Sequence, residues 1–465
     1  MEGGYMNFLK KFESTMWMII KLILYVLLMV IFMILMSREN PTLLRLSRTM
    51  GITISTFCVV GLLFLSVYGK YDVGRRKSKP IIYSLILATV FTDIVTYIQL
   101  MIMNTITTVS AFELRSLSSL FFSYVVQVII IIIFVYGGNA LFFTIHEPEG
   151  CAIITSSQDS LDCIVKAVEK YKKQYRIIYI ADYQDREALI NMPAVDTMFI
   201  YDIPVTRRSE LLRYCYEHKI NVYFNPEIED IIEVNSEYYL LDDVSVLNKN
   251  VKAWTMEQRI AKKLLDMFLA IILFLITSPI WLISAVSIKL YDGGSVFFKQ
   301  RRATIHGWVF EVYKFRTMKE NVENKSVTSD DDRITPPGKI LRKTRMDELP
   351  QLINILKGDM SFVGPRPEML ENVEAYQEEL PEFKYRLRVK AGLTGYAQIS
   401  GKYNTSPKDK LIMDMMYIEQ FSIVKDIQLM FKTFIVLLKS DSTEAFHDKN
   451  ERKKYVFHPA EEKEY

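Results

Sequence analysis

Asp347 and Glu348 stand side by side just ahead of Pro350, inside the stretch TRMDELPQLINILKGDMSFVGPRPE that runs from Thr344 to Glu368. Proline lacks an N–H and is welcome only in the first turn of a helix, so Pro350 predicts the acidic pair at the N-terminus of a helix over LPQLINILK. The helix dipole favours carboxylates there, and simple capping would need only one. Cations crowd the same region: Lys314 and Arg316 upstream, then Arg333, Lys339, Arg342, Lys343 and Arg345, and downstream Arg366 between Pro365 and Pro367. Arginine's planar fork suits phosphate oxygens, and flanking prolines make its position reliable. An acidic nucleophile, a helix N-terminus and clustered cations together describe a site for a phosphate ester. On composition alone, a solvated basic face explains the same charges.

The elements around this region must hold it in place, and one of them is oily. Lys314 and Arg316 fall on one strand-like run within VFFKQRRATIHGWVFEVYKFRTM. Before it comes KKLLDMFLAIILFLITSPIWLISAVSIKLYDGG, starting at Lys262, which is long enough to cross a bilayer. Ser278-Pro279 interrupts its middle, and lysines flank both ends, so the charge asymmetry of a crossing helix is missing. A hairpin that dips in and returns to the same face fits both facts, and a proline-kinked span is the alternative. The late run KDIQLMFKTFIVLLKS, from Lys425, is amphipathic and suits either the membrane interface or a core-facing helix.

The first third of the chain is membrane-like. Four apolar runs, Trp17–Met36, Gly51–Tyr68, Ile81–Met103 and Leu117–Phe143, each approach the length needed for ~30 Å of hydrocarbon. The first has no small-residue cleavage site and reads as an anchor. Lys10 and Lys11, then Lys70, Arg75, Arg76, Lys77 and Lys79, outweigh Arg38, Arg45, Arg48 and Arg115, which places the N-terminus and everything after residue 145 in the cytoplasm. Asp93 lies inside the third run without an obvious basic partner and reads as a polar contact between helices.

The middle of the chain has an α/β rhythm. CAIIT, YRIIYIA, TMFIYDI and NVYFNP read as buried strands, with helical patterns at SLDCIVKAVEKY and RRSELLRYCYEHK. The turn after the first strand is TSSQDS, without the glycine that lets a backbone approach a pyrophosphate, which argues against a bound dinucleotide. The 465 residues suit two or three domains, and the net charge of +3 gives no reason to expect nucleic acid. Cys58, Cys151, Cys163 and Cys215 are scattered and suggest neither disulfides nor a zinc site.

From about residue 262 to 440 the chain resembles the bacterial sugar transferase family, the monotopic polyprenyl-phosphate hexose-1-phosphate transferases. The resemblance rests on KKLLD with its Ser-Pro break, FFKQ, YKFRTM, the long run through LRK, DELPQL, LKGDMS and VGPRPE, then KAGLTGYAQISGK and a final D--Y----S---D-Q---KT. It implies that Asp347 is a nucleophile that takes up a sugar phosphate from a UDP-sugar as UMP leaves, and that Glu348 helps to position or deprotonate the acceptor, undecaprenyl phosphate. It implies phosphate binding by Lys314, Arg316, Arg342, Arg345 and Arg366, a magnesium ion met by Asp347, and a re-entrant break at Ser278 and Pro279. Departures are Thr304, where the family usually has glycine, and Ala391, where it usually has proline.

The expected architecture is a four-helix membrane region (1–145), a small Rossmann-like α/β domain (146–250), an α/β catalytic domain (257–440) with a re-entrant helix near 262–290 and interfacial amphipathic helices, and a charged tail (441–465). The resemblance places such a protein in the bacterial inner membrane, catalytic part to the cytoplasm, as an initiator of exopolysaccharide, capsule or O-antigen synthesis, and leaves room for a homo-oligomer. Two other readings compete. A membrane-bound nucleotide-sugar dehydratase or epimerase would need a glycine-rich turn and a Tyr-xxx-Lys pair, and neither is present. A non-catalytic assembly scaffold would not need the intact acidic pair.

Overall fold

The computed structural model describes residues 12–38, 40–108, 117–185, 187–251, 254–319, 333–401, 406–437 and 455–457. Lys10, Lys11 and Arg115, used above for orientation, lie outside the described residues, as does most of the charged tail. The chain divides into two units, one of residues 1–225 with 450–465 and one of residues 226–449.

In the first unit, apolar helices α1 (Glu13–Met36), α2 (Arg48–Tyr68), α3 (Ser78–Thr108) and α4 (Leu117–Ile145) pack around Leu28, Phe32, Phe57, Leu85, Leu100 and Ile131. Their outer surface is apolar too, with Leu22, Val59, Leu62, Phe121 and Ile133 exposed. Helices oily outside as well as inside belong in lipid, where every backbone group is satisfied within the helix. Asp93 is buried between helices and accepts a hydrogen bond from Gln127 Nε2 at 3.3 Å, and the same amide donates to the Leu28 carbonyl at 3.0 Å.

The rest of this unit is a parallel sheet of β1 (Glu149–Thr155), β2 (Tyr175–Asp182), β3 (Thr197–Tyr201) and β4 (Asn221–Phe224), in the order β2-β1-β3-β4. Helices α5 (Gln158–Glu169) and α6 (Val205–His218) cross over between strands. Because β1 is covered on both faces, its sequence is a continuous apolar run without alternation. In the glycine-free turn, Ser157 caps α5 through the Ser160 amide, and the Ser156 and Ser160 hydroxyls donate to the Asp202 carboxylate beyond β3. The carboxyl edge where strand order reverses is therefore lined by the domain's own polar contacts.

The sheet ends earlier than the expected boundary at 250. In the second unit, α7 (Ile228–Glu233) packs Ile228 and Ile231 against Phe383, Leu411 and Met415, and it leads into an antiparallel hairpin of β5 (Glu237–Leu241) and β6 (Val244–Asn248).

Helix α8 (Met256–Asp292) has 37 residues and would measure about 55 Å if straight. It is pinned near both ends to the same α/β core. At the start, Lys262 Nζ donates to Asp426 at 2.6 Å and to the Val363 carbonyl at 3.1 Å, while Asp266 accepts from the Phe362 amide at 3.1 Å. At the end, Asp292 pairs with Arg316, and Ile288 packs on Phe315 and Leu341. Between these anchors Leu275, Ile276, Leu282 and Ile283 are exposed. The helix continues through Pro279, which does not terminate it. Proline cannot donate to the carbonyl four residues back. The Ser278 hydroxyl donates to that Leu275 carbonyl at 2.8 Å, which explains why the two residues come as a pair.

The core these anchors reach contains the antiparallel hairpin β7 (Phe297–Ala303) and β8 (Val309–Phe315), then α9 (Pro336–Lys343), α10 (Gln351–Lys357), β9 (Met360–Val363), α11 (Leu370–Glu379), β10 (Ala391–Thr394), α12 (Pro407–Glu419) and α13 (Ile423–Leu437). Strands β9 and β10 pair in parallel. Leu352, Ile355, Phe362, Val363, Tyr417 and Leu429 gather with Ala270 of α8 in one apolar cluster. The burial of Asp426 and Leu429 turns one face of α13 to this core, while Val424 remains exposed.

The two departures from the family pattern meet. Thr304 is buried, and its hydroxyl accepts from the Ala391 amide at 3.1 Å while donating to the Asp359 carbonyl at 2.9 Å. A glycine–proline combination would have neither the hydroxyl nor the amide.

Candidate active site

Pro350 is the N-cap of α10, and the acidic pair sits one step upstream, on a 3-10 turn Met346–Glu348. The expected helix over Leu349–Lys357 thus begins at Gln351, and the acidic pair lies on a separate turn ahead of it. The residue entering the turn, Arg345, has φ 54°, a left-handed conformation that L-residues with side chains adopt at a cost. Strained backbone next to an acidic pair marks a position fixed by its surroundings.

Asn354 on α10 provides much of that fixing. It is fully buried, its side-chain amide donates to the Glu311 carbonyl at 2.7 Å, and its oxygen accepts from the Tyr313 amide at 3.0 Å. One side chain therefore clamps α10 to β8 beside Lys314. From there Lys314 Nζ donates to Glu348 Oε1 at 2.7 Å.

Arg366 Nη2 donates to the same Glu348 oxygen at 3.3 Å. Its loop is set by a close backbone crossing: a Cβ added to Gly392 would lie 2.1 Å from the Gly364 nitrogen, so these two segments touch only because both residues are glycine. The Arg366 carbonyl is held at 2.8 Å by Arg386, which is buried and pairs with buried Asp414 at 2.8 Å. The backbone of Arg366 is thus anchored while its side chain stays 47% exposed.

The two carboxyls differ in character. Burial would raise Glu348, but Lys314 and Arg366 outweigh it and hold the group well below the usual carboxylate range. Asp347 is pushed up, by burial first and then by the Glu348 charge, against the opposing pull of Lys314 and Arg342. Glu348 is therefore a locked anion. Asp347 forms no ion pair with a described residue, which leaves it available to react.

The other expected residues have distinct places. Arg316 is buried, with two guanidinium nitrogens on Asp292 at the end of α8 and Nε donating to the Ser295 carbonyl at 2.6 Å. Arg342 donates from Nε to the Thr317 hydroxyl at 2.8 Å and acts on Asp347 through space. Arg345 contributes positive charge to Glu348. Ser278 and Pro279 lie in the exposed middle of α8. The structure thus groups Lys314, Asp347, Glu348 and Arg366, with Arg342 and Arg345 beside them, and ties Arg316 to the end of α8.

Sequence reasoning gave no role to Asn354, Arg386, Asp414 or Tyr417. Three of them were visible as letters: Asn354 inside the long central motif, Asp414 and Tyr417 in the terminal D--Y. Tyr417 donates to Asp426 at 2.8 Å and so completes the anchor of Lys262.

No group of three or more His, Cys, Asp or Glu side chains converges among the described residues. Magnesium commonly takes one or two carboxylates and completes its shell with water and substrate phosphate. With Glu348 engaged by two cations, Asp347 is the carboxylate of the pair open to such an ion.

Residues 257–440 match the family model for bacterial sugar transferases. An uncharacterized sugar transferase, EpsL, of Bacillus subtilis is 40% identical over 183 residues, covering 39% of this chain and 89% of that protein. The UDP-N-acetylgalactosamine-undecaprenyl-phosphate N-acetylgalactosaminephosphotransferase of Aeromonas hydrophila is 40% identical, covering 38% of this chain and 43% of its own. The UDP-glucose:undecaprenyl-phosphate glucose-1-phosphate transferase of Xanthomonas campestris is 31% identical over 273 residues, covering 56% of this chain and 55% of its own. The chain belongs to the bacterial sugar transferase family. Its enzymatic class is that of the phosphoglycosyl transferases.

Proposed function

We propose that this enzyme moves a hexose 1-phosphate from a UDP-sugar to undecaprenyl phosphate. Asp347 attacks the sugar-bearing phosphorus, the bond to the bridging oxygen breaks, and UMP leaves with that oxygen. The acyl phosphate on Asp347 is then attacked by a phosphate oxygen of the polyprenyl acceptor, which regenerates the carboxylate and yields a lipid-linked sugar diphosphate. The observation that carries this reading is the division of labour in the acidic pair: Glu348 is ion-paired with Lys314 and Arg366, and Asp347 forms no ion pair with a described residue. Lys314, Arg342, Arg345 and Arg366 supply positive charge for donor and acceptor phosphates. Arg316 serves the same end indirectly, by holding Asp292 and the end of α8 against the site. Glu348, kept ionised, orients those cations and the incoming lipid phosphate. A magnesium ion held between Asp347 and the diphosphate would offset negative charge that builds up during transfer.

The membrane follows from the substrates. A polyprenyl phosphate presents its headgroup at the interface, and the UDP-sugar is dissolved in the cytoplasm. Helix α8, anchored near both ends to one α/β core, supports entry into and exit from the same leaflet of the bacterial inner membrane, with the catalytic unit in the cytoplasm. The favoured donors are UDP-glucose and UDP-galactose, and the product would begin an exopolysaccharide, capsule or O-antigen. Membranes holding the protein, given Mg²⁺ and labelled donor, should release UMP and accumulate labelled lipid. Mass spectrometry of enzyme quenched during turnover should find sugar phosphate on Asp347, and label bonded elsewhere would overturn the assignment. A scaffold would give no product with any donor.

A further inference from the structure

We infer that the parallel-sheet domain is a docking module for the chain's own Tyr455-Val456-Phe457 segment. Gln158, the first residue of α5, grips that segment at two points. Its side-chain oxygen accepts from the Phe457 amide at 2.7 Å, and its Nε2 lies 3.4 Å from the Tyr455 carbonyl as donor. The same Nε2 donates to Asp162 at 2.7 Å, which sets the orientation of the amide. One glutamine thus bonds both an amide and a carbonyl of the segment's backbone.

The side chains agree with the backbone. Tyr455 and Phe457 are half-buried against Cys151, Ile153, Leu161, Val165, Val168 and Phe199, while Val456 between them is 62% exposed. Burial thus alternates along the segment, and backbone bonds with alternate apolar anchors are how folded domains capture peptides. The sheet precedes the catalytic unit in the chain and the docked segment follows it. Docking therefore fastens the polypeptide on both sides of the catalytic unit to one domain, and this gives the sheet a role that requires no dinucleotide.

The test uses the full-length chain in phospholipid nanodiscs, with Val456 replaced by the photo-crosslinker p-benzoylphenylalanine. Irradiation and peptide mass spectrometry should locate adducts on the Gln158–Glu169 helix. Gln158→Leu should lower their yield about fivefold or more, since two polar contacts are lost. Tyr455→Ala combined with Phe457→Ala should abolish them, with the rate of UMP release changed less than about twofold because neither residue touches the site. Gln158→Glu, which keeps the acceptor and loses the donor, should fall between wild type and Gln158→Leu. Adducts scattered over the protein, or a yield indifferent to Gln158→Leu, would overturn the inference. So would adducts that join chains of different isotope label in a mixed sample, because the segment would then belong to a second copy.

Discussion

Two charged clusters of the catalytic unit use the same chemistry to different ends. Around Glu348 the ions stay partly open: its side chain is 17% exposed and that of Arg366 is 47% exposed. Around Lys262 they are closed: Lys262 is 8% exposed, Asp426 is 2% exposed, and Trp254, Tyr417 and Phe421 surround the ammonium at cation–π distances. Solvent access decides what each can do. An open cluster can exchange one anion for another, so a substrate phosphate can compete for its cations. A closed one holds its members too firmly to exchange, and it serves to fasten α8 to the core.

That contrast can be tested by substitution. Asp347→Asn should lower UMP release on the order of 10⁴-fold or more while the thermal unfolding curve stays in place, as expected when a nucleophile is lost from an intact fold. Lys262→Met should do the reverse. It strands Asp426 in an apolar setting and should destabilise the protein by about 3–5 kcal/mol, read by thermal or denaturant unfolding in detergent. If Lys262→Met left stability unchanged, the closed cluster would not be the anchor described here.

Smaller effects refine the open cluster. Arg366→Lys keeps the charge and loses the fork, and kcat/KM for the UDP-sugar should fall roughly ten- to hundredfold. The pH profile carries a definite sign. Asp347 must be ionised to attack and its pKa is raised, so the rate should fall on acidification at a pH above the ordinary carboxylate range. Lys314 lowers both carboxyls, and Lys314→Met should therefore move this acid limb to still higher pH. Movement to lower pH would contradict the electrostatics. Thr304→Val should be the mildest change, at about 1 kcal/mol, because it leaves the buried Ala391 amide without its acceptor; the loss should shrink in an Ala391→Pro background.

The parts of this molecule that could be read in its sequence are those with a strong local signal. Oily runs announced α1 to α4, and the apolar runs of the central strands β1 and β3 announced the parallel sheet, because burial on both faces leaves a compositional mark. The acidic pair and its cations were visible because Pro350 fixes a helix start. What escaped depends on contacts far apart in the chain. Asp292 is one of many acids that could have met Arg316, and nothing near Arg386 announces that it supports the Arg366 carbonyl. The hairpin of β5 and β6 escaped because its side chains are mostly exposed and carry no alternation of burial. The separate 3-10 turn that carries the acidic pair escaped because it is entered through one left-handed residue, Arg345, which propensity does not foresee.

The contact between Thr304 and Ala391 also bears on the route by which such a sequence can drift. From a glycine–proline ancestor, replacing proline first would bare a buried N–H with no acceptor nearby, a handicap until threonine arrived. Replacing glycine first introduces a hydroxyl that already has the Asp359 carbonyl to bond, so selection would meet a gentler slope. Lineages carrying threonine with proline should therefore outnumber those carrying glycine with alanine.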